Sequence, residues 1–336
     1  MSNIQETLIK SGLSHNETKV YLAALELGET TISRIAKKSK VKRKAAPFHV
    51  PNSETRCVRW IPGTIARQLW RTIGWPTFNF YSGDADLFFF PNFIRPAISA
   101  GKSVVTIHDV SFMRYPGFTE EGNARFLAGH IKDTVLRADA IITDSRFSAG
   151  EICELLGAQT DRVFPIHLGI EESFREPPRD QQLSVLKKRR LDRPYIISVG
   201  TFEPRKNIPL LVDVFDRLSQ FDGDLVIVGK LGWKYEPIIE RIRASPRAER
   251  IKCFHDVPDF ELPALYSGAD LFMTTSFYEG FGFPPLEAMA CGTPVIATSG
   301  SSFTEALEDA AILVDSSDPE SWCATAEKVL SDMDLR

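Results

Sequence analysis

Short runs of β-branched and aromatic residues alternate with amphipathic stretches from about residue 86 to the end of the chain. DLFFFPN (86–92), SVVTIHDV (103–110), ADAIITDS (138–145) and RVFPIHLG (162–169) are apolar at consecutive positions rather than at every second one. That pattern predicts parallel strands buried on both faces. PYIISVG, DLVIVGK, IKCFHDV, ADLFMTTS, TPVIATSG and AAILVDSS repeat it beyond a charged, proline-containing stretch from Glu171 to Arg193. Strands separated by helix-period segments predict an α/β protein with doubly wound parallel sheets. The charged stretch is the natural linker, so two Rossmann-like domains are expected to face each other across a cleft.

The first 46 residues have a different texture. From Asn16, NETKVYLAALELGETTISRIAKKSKVKRK reads as a capped helix with Val20, Leu22, Ala23 and Leu27 on its apolar side. Gly28 ends it, a second helix buries Ile32, Ile35 and Ala36, and VKRK begins a third that Pro47 stops. Two helices, a tight turn and a basic third helix make the helix-turn-helix pattern. The segment LSHNETKVYLAALELGETTISRIAKKS resembles the start of TrmB-like winged helix-turn-helix regulators. The recognition helix is broken before it can read bases and no wing follows, so Lys42, Arg43 and Lys44 read as a solvated charge run. DNA binding is not expected.

Charge supports the division. Residues 1–46 hold nine Lys or Arg against four Glu, a net of +5, which leaves −9 for the remainder of a chain whose total is −4. With 43% hydrophobic and 25% charged residues over 336 positions, the chain has the means to bury two cores, which excludes wholesale disorder. The five cysteines are scattered without a C-x-x-C, so neither a zinc site nor a disulfide framework is indicated and a reducing cytoplasm fits. The polar N-terminus lacks a signal-peptide core, and no run approaches the roughly 18 apolar residues of a membrane helix. TIARQLWRTIGW (Thr64–Trp75) mixes arginines with bulky apolar residues. Its first reading is a helix packed on its own domain; the alternative is peripheral contact with a membrane surface.

Open parallel sheets bind ligands beyond the carboxyl ends of their strands. After IISVG comes TFEPRKN, which places Arg205 and Lys206 where a helix is about to begin, an arrangement that suits a diphosphate. After LFMTTS comes SFYEGFGFPPLEAMACG (Ser276–Gly292). Gly280 and Gly282 allow the backbone to turn and approach a ligand, and Pro284 and Pro285 prepare a helix. Glu279 then ends a loop while Glu287 sits on the helix, both directed at one pocket. DAD at Asp84–Asp86 has the look of a metal-holding D-x-D but introduces a strand and reads as a turn, while His167 and His255 read as structural. No metal ligand is assigned.

The constellation YEGFGFPPLEAMACGTPVIAT, preceded by SVGTFEPRKNIPLLVDVF and FHDVPDFELPALYSGADLF, resembles the donor-binding domain of retaining glycosyltransferases of family 4, which have the GT-B fold. VVTIHDVSFMRYPG and ADAIITDSRFSAGEI resemble strands of that family's N-terminal domain, so the likeness runs from about residue 55 to 336. It implies a nucleotide diphosphate-sugar donor of the GDP-mannose or UDP-glucose type, no cofactor, and a saccharide or lipid-linked acceptor. It further implies that Glu287 accepts hydrogen bonds from the donor ribose. Glu279 would contact the transferred sugar, Arg205 and Lys206 the departing diphosphate, and amides near Gly282 and Phe283 the sugar hydroxyls. His108 would sit across the cleft beside the sugar, and the backbone near Val257 would border the base.

The implied organisation is a helix-turn-helix-like fragment (1–46), an acceptor-side domain (47–178) and a nucleotide-sugar-binding domain (179–336). No segment matches the strand, glycine-rich loop, helix and second strand with which the family's N-terminal domain begins; recognisable sequence resumes near Arg56 with RCVRWIP. The first domain is therefore expected to lack its first βαβ unit and the second to stop short of the family's crossing helices, as a fusion, a rearrangement or a misassembled reading of two genes would leave them. Two alternatives stay open: a DNA-binding regulator with a sugar-nucleotide-sensing domain, and an inactive nucleotide-binding remnant.

Overall fold

The computed structural model describes residues 77–332. The helix-turn-helix-like segment, RCVRWIP and the Thr64–Trp75 stretch lie outside the described residues, as does the region where a first βαβ unit is expected to be lacking. The chain divides into two compact units: one takes in the residues up to His108 with Arg125–Thr143 and Ile152–Phe164, the other Asp109–Ala124, Asp144–Glu151 and everything from Pro165.

In chain order the first elements are α1 (Asn79–Ser82), β1 (Leu87–Phe90), β2 (Lys102–Thr106), α2 (Ser111–Arg114), α3 (Glu121–Arg137), β3 (Ala140–Thr143), α4 (Arg146–Leu156) and β4 (Val163–Pro165). The four strands hydrogen-bond in the order β1-β2-β3-β4. β1 and β2 are parallel, with Phe88 opposite Ser103 and Phe90 opposite Val105, and β2 and β3 are parallel, with Val105 opposite Ile141. β1 alternates exposed and buried positions, so Phe88 and Phe90 enter the core while Leu87 and Phe89 face outward. α3 contributes Ile131 and Val135 to the same core. The Asp139 carboxylate ties the sheet to the end of this helix, accepting from the Ser103 amide at 2.8 Å and from Lys102 Nζ at 2.9 Å.

The second unit continues with α5 (Arg179–Arg189), β5 (Tyr195–Val199), α6 (Ile208–Arg217), β6 (Asp224–Val228), α7 (Glu236–Arg243), β7 (Ile251–Phe254), α8 (Leu262–Ser267), β8 (Leu271–Thr274), α9 (Phe283–Ala290), β9 (Val295–Thr298), α10 (Phe303–Ala306), β10 (Ile312–Val314) and α11 (Pro319–Ser331). Its sheet has the order β10-β9-β8-β5-β6-β7 and all its pairings are parallel. β6, β8 and β9 are buried at every position, which explains their unbroken apolar runs. Successive residues of β5 point to opposite sides: Ile196 joins the cluster under α6, α7 and α11, which includes Phe215 and Trp322, while Ile197 joins the cluster with Tyr266 and Ala288.

The charged stretch read as a linker is in part a helix. α5 is weakly amphipathic; Val185 and Leu186 pack on the second cluster, and polar ties add to them: Gln182 Nε2 donates to Ser267 Oγ at 3.0 Å, and Lys188 and Arg189 both reach the buried Glu261 carboxylate. Such ties join residues more than seventy positions apart, and local periodicity carries no trace of them.

Candidate functional site

In the second sheet the chain runs β5, β6, β7 to one side and then β8, β9, β10 to the other, so the order reverses between β5 and β8. At such a switch point the connections leave a crevice at the carboxyl ends of the two strands. The segments that follow β5 and β8 are those singled out in the sequence, and they are stitched together there.

After β5, Pro204–Lys206 form one 3-10 turn, and Asn207 takes a left-handed conformation (φ 48°) before α6 begins. The Phe277 amide donates to the Arg205 carbonyl at 2.9 Å and Thr275 Oγ1 to the Asn207 carbonyl at 2.9 Å, which fixes the turn against the segment after β8. In that segment Glu279 is 7% exposed. One carboxylate oxygen accepts from Arg205 Nη1 at 2.6 Å and the other from Lys206 Nζ at 2.6 Å. Burial opposes its ionisation, but the Arg205 and Lys206 charges prevail and hold the carboxyl down to about 2. Glu279 is thus an anion at any working pH, unable to act as a general acid.

The same cluster contains a second carboxylate that motif reading passed over. Glu203, 2% exposed, accepts from Arg205 Nε at 3.0 Å and forms an ion pair with Nη2 at 2.8 Å. Its carboxyl is raised by burial despite the neighbouring cations. Its signal was present in TFEPRKN, two places before the arginine, but nothing local says that it turns inward.

The loop carrying Glu279 is pinned on several sides. Ser302 Oγ donates to the carbonyls of Glu279 and Phe281, each at 2.9 Å, and Ser145 Oγ donates to the Gly280 carbonyl at 2.7 Å. Tyr278 is buried, its hydroxyl meeting the Val110 amide at 3.5 Å. Gly282 has φ 95° and opens α9, whose first-turn amides, beginning near Phe283, have no partner within the helix. Phe283 itself is 38% exposed.

Glu287 lies one turn into α9. Its Oε2 accepts from the hydroxyl of the wholly buried Tyr266 at 2.8 Å. Burial raises the Glu287 carboxyl, and the Tyr266 hydrogen bond opposes that rise. Tyr266→Phe is expected to lower stability by about 1–2 kcal/mol and to raise the Glu287 carboxyl further; urea denaturation and a pH series would measure the two effects. Val257 follows β7 and packs, half-buried, against the cluster that contains Tyr266 and Ala288, as Leu286 and Leu262 do. His108 belongs to the first unit, its ring 5.7 Å from that of Phe93. Arg205, Lys206 and Glu279 therefore form one ion-paired cluster, whereas Glu287 has its own partner in Tyr266. Among the described residues no three His, Cys, Asp or Glu side chains gather to hold a metal ion, and no helix is long and apolar enough to cross a membrane.

Two parallel-sheet, Rossmann-like units define the fold class as GT-B. Sucrose-phosphate synthase from Thermosynechococcus elongatus is similar in structure, with a TM-score of 0.64 over 81% of this chain and 71% of that one at 21% identity. HepE from Anabaena, in complex with UDP-glucose, gives 0.61 over 70% and 64% at 18% identity. At these identities the likeness is one of fold. Residues 181–336 match the family described as glycosyl transferases group 1.

Among curated proteins, O-antigen chain mannosyltransferase B of Escherichia coli is 32% identical over 246 residues, 72% of this chain and 64% of that protein. D-inositol 3-phosphate glycosyltransferase of Salinispora tropica is 30% identical over 223 residues, 61% and 46% of the two chains. The chain spans between about half and two thirds of the length of these relatives.

Proposed function

We propose that the protein is a retaining glycosyltransferase that moves a hexosyl group from a nucleotide diphosphate-sugar, of the GDP-mannose or UDP-glucose type, to a saccharide or lipid-linked acceptor. The observation that carries this reading is the buried Glu279 carboxylate held between Arg205 and Lys206 at the switch point of the sheet. Breaking a glycosyl phosphate bond produces an oxocarbenium-like centre and a diphosphate anion. A permanent anion beside the first and fixed cations beside the second are what such a transition state demands. Glu279 meets the first demand; it is ionised before substrate arrives, so no proton need be lost to make it so. Arg205 and Lys206 supply the positive charge for the second.

Glu287 in this reading accepts the ribose hydroxyls, with Tyr266 holding one oxygen and leaving the other for the ligand. The amides near Gly282 and Phe283 take sugar hydroxyls, Val257 borders the base, and His108 attends the transferred sugar. The mannosyltransferase and inositol phosphate glycosyltransferase relatives support a hexosyl donor, and the UDP-glucose complex of HepE supports a nucleotide-sugar.

A thermal-shift panel of UDP, GDP, ADP and their sugar conjugates tests the donor assignment, because a ligand that binds only the folded state raises the apparent melting temperature. At 100 times Kd the expected stabilisation is about 2.7 kcal/mol. One base is expected to win, and its shift to shrink in Glu287→Ala. No shift with any of them, or an equal shift in the variant, would remove the reading; product analysis by NMR of the anomeric proton decides retention.

A further inference from the structure

Tyr115, Phe118 and Phe277 form a column of three rings. The Tyr115 and Phe118 rings stack at a centroid distance of 5.2 Å with 14° between their planes, and those of Phe118 and Phe277 at 5.5 Å and 20°. Phe118 in the middle is half-buried, while the end rings, Tyr115 and Phe277, are 37% and 39% exposed. Covering rings of this size is favourable, yet the fold holds these two open. Pro116–Phe118 form a 3-10 turn in which the Phe118 amide donates to the Tyr115 carbonyl at 2.9 Å. The turn is fastened from the segment after β6: Trp233 Nε1 donates to the Phe118 carbonyl, and Lys234 Nζ to the Gly117 carbonyl at 2.8 Å. Tyr115 also meets the ring of the buried Tyr278 edge-on at 5.9 Å.

The column borders the candidate site. The Phe277 amide donates to the Arg205 carbonyl at 2.9 Å, the Tyr278 carbonyl accepts from Arg205 Nη1 at 2.7 Å, and Glu279 is the next residue. Asp109 is half-buried and precedes the Val110 amide that meets the Tyr278 hydroxyl; its charge acts on both Arg205 and Tyr278. We infer that Tyr115 and Phe277 form a platform for a pyranose ring of the acceptor, and that Asp109 accepts one of its hydroxyls. The inference rests on the transfer reaction proposed for this site. The C–H bonds on one face of a pyranose carry slight positive charge and are attracted to the negative face of an aromatic ring. Its hydroxyls lie around the edge and need partners once water leaves. A lipid tail would suit the rings but would strand Asp109 and Lys234 away from water. A saccharide satisfies both.

The test uses the full chain with saturating UDP or GDP and two probes, methyl α-D-mannopyranoside and methyl β-D-glucopyranoside. Glycerol, which has hydroxyls but no apolar face, is the control. Saturation-transfer NMR with irradiation of the aromatic protons is expected to reach the C–H protons of one sugar face more than the other, and a titration gives the Kd. Phe277→Leu keeps apolar bulk and removes the ring; it should raise the glycoside Kd about fivefold while the diphosphate Kd, measured by calorimetry, stays within about twofold. Tyr115→Leu should do the same, and it carries the test if Phe277→Leu does not fold. Phe277→Tyr restores the ring and should restore glycoside binding, a rescue that mere packing would not give. Asp109→Ala should raise the glycoside Kd about tenfold, the loss of one charge-assisted hydrogen bond.

No saturation transfer from wild type to either glycoside, equal transfer to glycerol, or an unchanged glycoside Kd in both Leu variants overturns the platform. So does a diphosphate Kd that rises together with the glycoside Kd, because Phe277 would then act through Arg205. Failure of the wild-type protein to bind UDP or GDP removes the donor reading and this inference with it, a result that calorimetry gives before any sugar is added.

Discussion

Glu279→Gln is expected to melt well below the wild-type protein and to lose about three orders of magnitude in transfer rate. The substitution keeps the shape of the side chain and removes only its charge. Arg205 and Lys206, at 20% and 14% exposure, then lie side by side without the counter-charge both share. Breaking a buried ion pair by removing one partner costs about 3–5 kcal/mol, because the remaining charge is stranded in a poorly solvated site. The pH dependence supplies a sharper test. Glu279 is held at about 2 in the folded protein by Arg205 and Lys206 against its burial, while an unfolded glutamate titrates near ~4.3.

A depressed carboxyl contributes stability that is full above the unfolded value and is lost as pH falls toward the folded one. The difference between wild type and Glu279→Gln in urea denaturation should therefore be largest above about pH 5 and should shrink steadily toward pH 2. Glu203 works in the opposite sense: its carboxyl is raised, so its contribution is present below the unfolded value and is lost as pH rises through the folded one. In Glu279→Gln that opposing term remains without its counterweight, and the acid limb of the stability curve should flatten. A variant whose stability follows the wild-type pH profile in parallel would show that Glu279 is not the ionised partner of the two cations.

Much of this was legible in the sequence, and the reasons are physical. All ten apolar runs are strands, because a strand covered on both faces has no polar positions to interrupt it; β6, buried at five of five positions, is the clearest case. β1, β4 and β10 depart from that rule, exposing Leu87, Phe89, Phe164 and Ile312, as befits strands at the ends of the described sheet orders. The site segments were also legible, since a parallel sheet sends its functional residues to the strand ends and TFEPRKN and SFYEGFGFPP stand there. What could not be read was which of those groups meet. Arg205 and Glu279 are 74 positions apart, and Ser145 and Gly280 are 135 apart; contacts of that span depend on the strand order, which no local pattern encodes. Glu203 and Tyr266 were missed for the same reason. Each looks ordinary in its own segment and gains its place from a partner on another element.

Gly282→Ala tests how tightly the fold holds the loop that bears Glu279. Two costs should combine. At φ 95° the residue occupies backbone space that an L-residue enters at about 1–2 kcal/mol. A Cβ there would also stand 2.4 Å from Cε1 of Phe303, which is 1% exposed and has no room to retreat. Overpacking of that kind costs about 1–3 kcal/mol, so the two together, about 2–5 kcal/mol, should lower the melting temperature by roughly 4–20 °C for a unit of this size.

Gly292→Ala separates the two terms. Its φ is 82°, and nothing lies within 4 Å of the added carbon, so it should show the backbone cost alone, about 1–2 kcal/mol. Equal losses in the two variants would mean that Phe303 yields freely and that the loop is not pinned by packing. If the losses differ as expected, the functional consequence follows from the neighbouring residue. Phe303 cannot move without Ser302, whose hydroxyl holds the carbonyls of Glu279 and Phe281. Donor turnover in Gly282→Ala should then fall even at temperatures where the variant is fully folded, while Gly292→Ala, at the far end of α9, keeps the wild-type rate.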